Sequence, residues 1–192
     1  GADDYFWDTT VLERIAMQLQ LLPTNIRVVY GQIMQVSADD QLPLRSIGGS
    51  WSQIKELFRQ YMCIPHVGTM HRRSLFEQYG NFDESFHIAG DYEFLLRELI
   101  TGDAVFIPDI ITVGQRLGGI STDPENYWKS LREVRRAQKI HGQHLPVRVL
   151  LPKIAREYLW LLIWKVFGVR LASKLLDMRR RCKGLPPHWT KA

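Results

Sequence analysis

A chain of 192 residues that is 45% hydrophobic and 23% charged is long enough to bury a core, and its composition is that of a folded protein, not a disordered one. Its net charge of +5 is divided: residues 146–192 carry 11 Lys or Arg against only Glu157 and Asp177, a local +9, while residues 1–145 carry −4. The two cysteines, Cys63 and Cys182, are far apart and fit no metal or redox spacing, so they read as reduced thiols in a cytosolic setting.

The chain opens on Gly1-Ala2-Asp3-Asp4, with no basic segment followed by an apolar one, so no secretory signal is expected. The adjacent carboxylates of Asp3 and Asp4 read either as a solvated acidic terminus or as oxygens for a hard divalent cation. Thr10 and Glu13 have capping-box spacing, and Val11, Leu12, Ile15, Leu19 and Leu22 recur at helical intervals before Pro23. Residues 26–36 are rich in β-branched side chains and predict a strand, with Gly31 as a candidate break. Residues 37–50, holding Pro43 and Gly48-Gly49, predict a loop. Trp51, Ile54, Leu57, Phe58 and Tyr61 define the apolar side of a helix. A short apolar segment around Pro65-His66 follows, then a helix over 72–80 that Gly80 closes. His66 reads equally as a buried, hydrogen-bonded histidine or as a site residue.

Residues 89–97, Ala-Gly-Asp-Tyr-Glu-Phe-Leu-Leu-Arg, place Asp91 and Glu93 at a helix start just after a glycine. An acid there is ordinarily a cap; beside a cleft the same carboxylate can take a proton from a substrate. A hydrolase using Asp91 and Glu93 as a pair is disfavoured, because residues two apart on a helix do not face each other. Residues 104–107 and 110–113 are strand-like around Pro108-Asp109, and Gly118-Gly119 with Ser121-Thr122 predict a loop. Residues 126–141 predict a polar helix with Trp128, Leu131, Val134 and Ala137 inward. Alternating helices and strands make the body α/β, with too few strands for a complete sheet.

Asp3-Asp4, His66, Phe82-Asp83-Glu84 and Gly90-Asp91-Tyr92-Glu93, in that order and spacing, resemble the second half of family 2 glycosyltransferases, the inverting enzymes of the GT-A fold. The resemblance covers about the first three quarters of the chain, and it extends to residues 28–31 and 72–84. It implies a partial GT-A-like domain over 1–145 that lacks an N-terminal βαβ half, followed by a basic helical tail over 146–192. It also implies transfer of a sugar from a UDP-, GDP- or dTDP-linked donor to a glycan or lipid-linked acceptor, in polysaccharide or envelope glycan synthesis. Asp91 matches the family's catalytic base. Asp3 matches the metal-proximal acid, with Asp4 beside it, and Mn²⁺ or Mg²⁺ is the implied cofactor; Gly1 stands where the motif's first acid would be. His66, Glu93 and Ser121 are the implied acceptor or donor contacts. Without the nucleotide-binding half, the expectation is a chain with reduced or no activity by itself. The alternative is a non-catalytic remnant that binds a membrane or a partner through its tail.

In that tail, Tyr158-Leu159-Trp160-Leu161-Leu162-Ile163-Trp164 is too short an apolar run to span a bilayer. Its aromatics and the cations around it suit a lipid headgroup region, and Arg179-Arg180-Arg181 adds attraction for anionic lipid. The sequence therefore reads equally as an interfacial anchor at the inner face of the plasma membrane or as a helix packed on the body. Nucleic-acid binding ranks below both, since the aromatics lie apart from the arginine run.

Overall fold

The computed structural model describes residues 3–37, 42–116, 126–143, 147–182 and 184. The chain forms two compact units, Gly1–His144 and Leu145–Ala192.

The first unit contains, in order, β1 (Tyr5–Phe6), α1 (Val11–Leu21), β2 (Val28–Val36), β3 (Pro43–Ile47), α2 (Trp51–Phe58), a 3₁₀ turn (His66–Gly68), β4 (Thr69–His71), α3 (Arg73–Tyr79), α4 (Gly90–Leu99), β5 (Ala104–Arg116) and α5 (Tyr127–Ile140). It is a mixed α/β fold. The sheet runs β1-β5-β2-β3, and β4 shares with β3 the edge of β2 that faces away from β5. β2 and β5 are parallel; the other pairings are antiparallel.

Alternation along β2 separates two cores, as the twofold period of a strand requires. Val28 and Tyr30 face a large cluster with Trp51, Phe58, Leu75 and the residues of α4. Val29 faces the other side, with Val11 and Ile15 of α1 and with Ile107 and Ile110. Helix α4 is the hub of the larger core: Tyr92, Phe94, Leu95, Leu96 and Leu99 are all buried, which is why so apolar a segment settles as a central helix. Its two buried acids are paired, Glu98 with Arg27 across the sheet and Glu93 with Arg97 one turn on. The turn after α4 is tied to α2 by Asp103, which accepts from Trp51 Nε1 at 2.8 Å and Lys55 Nζ at 2.6 Å.

The strand break expected at Gly31 is instead a bulge in its neighbour. Gly31 pairs with Ile107 and Gln32 with Ile111, so Pro108, Asp109 and Ile110 loop out of β5 while both strands continue. A Cβ on Gly31 would lie 2.6 Å from Thr112 Cγ2 and 2.7 Å from the Ile110 carbonyl, so the close approach requires glycine. The predicted loop 37–50 contains β3. That strand is nearly all exposed and opens on Pro43, the pattern of an edge strand, which carries little apolar alternation to read.

Candidate active site

Strand register places the acidic pair. β1 runs antiparallel to β5 with Tyr5 opposite Gly114 and Phe6 opposite Val113, so Asp3 and Asp4, ahead of Tyr5, lie toward the C-terminal end of β5. The parallel partner β2 ends at the same edge, Val36 opposite Arg116. In open α/β sheets the crevice outside the carboxyl ends of parallel strands is where ligands bind. Gly114 is part of this placement: a Cβ there would run into the Tyr5 ring, so the glycine lets β1 lie close. Asp3 is exposed and Asp4 half-buried.

Helix α4 begins at Gly90, one residue before Asp91, with Ala89 as its N-cap. Asp91 therefore sits inside the first turn and is not the cap. Its Oδ1 accepts from the Tyr92 N–H at 2.7 Å, and no cation pairs with it among the described residues. Burial pushes its pKa above the ordinary carboxylate value, against the pull of the backbone hydrogen bonds.

The capping role belongs to Glu133 of α5. Its carboxylate accepts from three successive backbone N–H groups just before α4: His87 at 3.0 Å, Ile88 at 2.7 Å and Ala89 at 2.9 Å. Burial raises the Glu133 pKa, but these bonds outweigh it and the net direction is down. Arg136, one turn on, binds the Ser85 hydroxyl at 2.7 Å and lies 4.3 Å above the Phe86 ring. Helix α5 thus holds the segment that presents Asp91. Glu133→Ala is expected to cost about 1–3 kcal/mol by orphaning these donors, and to raise amide hydrogen exchange at His87, Ile88 and Ala89. Because the folded pKa is lowered, the protection Glu133 gives is present above about pH 4.5 and lost as the pH falls through the lowered value.

One turn beyond Asp91, Phe94 enters a cluster of rings. It lies 4.4 Å from Phe82, 4.8 Å from Phe76 and 5.5 Å from His71 between centroids. His66 adds to the cluster, 5.4 Å from His71 and 5.9 Å from Phe82. The 3₁₀ turn carrying His66 is pressed against the sheet, where a Cβ on Gly68 would overlap the Thr112 hydroxyl and lie 2.8 Å from Ile33 Cγ2. Burial pushes both imidazoles down to about 4, so they are neutral at physiological pH. Each Nε2 is buried without a hydrogen-bond partner. Buried polar atoms are almost always satisfied, and a buried water is the ordinary partner for two such nitrogens.

Glu93 is placed differently from Asp91. Both its oxygens are engaged, by Arg97 at 2.5–3.1 Å and by His141 Nε2 at 2.8 Å. Arg97 also donates to the Tyr79 and Asn81 carbonyls at 2.8 Å. Glu93 thus ties α4 to the end of α5 and to the chain after α3. Ser121 lies outside the described residues. Among the described residues, no group of three or more His, Cys, Asp or Glu side chains is arranged to hold a metal ion.

The structure thus joins His66 to the helix of Asp91 through the ring cluster, and sets Asp3 and Asp4 at the carboxyl edge of the parallel strands. His71, Glu133, Arg97 and His141 are members of the arrangement that the sequence did not single out. Glu133 falls on the polar side of a helix, where its spacing matches a solvated residue; only the fold brings it to the N–H groups. No protein-family model matches the chain, and no curated protein matches it either.

Proposed function

We propose that the protein is an inverting sugar transferase of GT-A-like fold, with Asp91 as the general base. The observation that carries this reading is the Asp91 carboxylate: in the first turn of a buried helix, desolvated, paired with no cation among the described residues, and one turn from a cluster of aromatic rings. A carboxylate whose pKa is raised by burial is a stronger base than one in water, which suits proton removal from a sugar hydroxyl.

In this mechanism Asp91 accepts the proton of the acceptor hydroxyl as its oxygen bonds to the anomeric carbon of the donor. The bond from that carbon to the diphosphate oxygen breaks with its electron pair, and the configuration inverts. The face of Phe82, 40% exposed, supplies apolar contact for a sugar ring. Glu133 and Arg136 keep the base in position.

Asp3 and Asp4 are the carboxylates that would hold a divalent cation. Mg²⁺ sites on nucleotides commonly use only one or two protein carboxylates, so a cluster of three is not required. Bound there, the ion would offset charge growing on the leaving diphosphate.

Calorimetric titration of UDP, GDP and dTDP with Mn²⁺ tests the reading. Metal-dependent binding of one nucleotide, lost in Asp3→Ala, is the expected result. Failure of all three to bind a folded protein would contradict it.

A further inference from the structure

Within the second unit, α6 spans Val147–Arg181 and breaks its helical geometry at Gly168, which has φ 74°. That is left-handed backbone that glycine adopts without strain. Pro152 falls in the first turns of the helix. No helix among the described residues is long and apolar enough to cross a membrane.

The exposed apolar residues ahead of Gly168 are ordered. Leu151, Tyr158, Leu159, Leu162 and Val166 are all exposed, Tyr158 and Val166 by more than 60%. At about 100° per residue they fall within one arc of about 100°. Ala155, also exposed, lies inside the same arc. The cations flank it: Lys165 projects beside one margin and Arg156 beyond the other, both exposed. After Gly168 the pattern resumes. Leu171 and Met178, seven residues apart, are exposed on one side, with Lys174 and Arg181 to one flank and Arg179 to the other. Exposed Arg148 enters the arc at the start of the helix, ahead of the apolar residues. In this unit, residues 146–192 hold 11 basic residues against two acidic ones.

We propose that α6 lies in the headgroup region of an anionic bilayer, its stripe sunk into the acyl boundary and its cations on lipid phosphates. The length and charge of α6 suit a helix lying in the plane of the interface. The occupant is a lipid surface because the complementarity is twofold. Apolar area alone would suit a second copy of the chain, but a helix with nine basic and two acidic residues, +7, repels its like. Cations alone would suit any polyanion, but the apolar stripe would then stay in water. The Gly168 break lets the two segments follow the surface separately. This inference stands apart from the transferase reading, since vesicle binding needs no catalysis.

The test is flotation of the intact protein with phosphatidylcholine vesicles, with and without roughly one third phosphatidylglycerol to supply an anionic surface. Binding to the anionic vesicles is expected, at least about tenfold stronger than to neutral ones at 0.1 M salt, and weakened at 1 M salt where screening shortens to about 3 Å. Leu159→Glu with Leu162→Glu should lower binding by at least about tenfold while circular dichroism keeps its helical signal. Both positions are exposed, so the substitution leaves the core alone. Equal binding to neutral and anionic vesicles would overturn the electrostatic half of the proposal. No binding to either would overturn the proposal; self-association in light scattering would then point to a second copy, and retention on mixed-sequence RNA to a nucleic acid.

Discussion

Asp91→Asn is expected to lower kcat by about 10²–10⁴-fold, the range of a lost general base, while nucleotide affinity and fold are retained. The substitution keeps size and shape and leaves an amide oxygen for the Tyr92 N–H. It removes a charge that burial disfavours, and stability should show it. A folded pKa above the ordinary 3.8 means that the native state holds the proton more tightly than the unfolded chain. The contribution is fully present below pH 3.8 and is lost as the pH rises through the raised value. At pH 7 the wild-type protein therefore carries a desolvated anion that the variant lacks. The Tm of Asp91→Asn at pH 7 should equal or exceed that of the wild type, and the difference should vanish in acid. A purely structural carboxylate gives the opposite pattern: lower Tm, and activity lost only in step with folding. The wild-type kcat/KM should fall on the acid side as Asp91 gains its proton, and that limb should be absent from the residual activity of the variant.

Glu93→Ala is expected to be the most damaging change to stability, about 3–5 kcal/mol. The carboxylate is 4% exposed and is held by Arg97 and His141, so truncation strands the Arg97 guanidinium, itself largely buried, beside an empty space. For a protein of this size the loss corresponds to a fall in Tm of roughly 6–20 °C, measurable by calorimetry. The double variant Glu93→Ala with Arg97→Ala should cost less than the two single losses added, because removing both partners leaves no uncompensated charge. Catalysis should drop only to the extent that α4 is loosened. Equal stability of Glu93→Ala and wild type would refute the structural role and return Glu93 to the acceptor side.

The body of the fold was legible where periodicity was strong. The helix at 126–141 reads directly from its spacing, and the strand at 26–36 reads from its run of β-branched and apolar residues, since β2 is buried on both faces and writes no alternation. β3 was not legible: an exposed edge strand with Pro43 at its start has no buried side to repeat. The bulge at Pro108–Ile110 left a signal, proline in a strand-like run, but only the pairing shows that the strand continues through it.

The site divides in the same way. Asp91 and Glu93 look equivalent in the sequence, two acids at one helix start. What separates them is what lies opposite: for one, a desolvated environment with no paired cation among the described residues, and for the other, Arg97 and His141. Those partners come from one turn on and from the end of another helix 48 residues away, and local spacing does not encode the second. Glu133 was hidden for a related reason, since a carboxylate on a polar helix looks like a solvated one until the N–H groups of a distant loop meet it.

The most direct test of Asp91 as a base is release of nucleoside diphosphate from a panel of UDP-, GDP- and dTDP-sugars, wild type beside Asp91→Asn, at pH 7 with Mn²⁺. The account predicts acceptor-dependent release from one donor by the wild type, and at least a hundredfold slower release by the folded variant, the lower bound for a missing base, about 10². Equal rates in both proteins, or no release from any donor by a protein that binds the nucleotide, would contradict it.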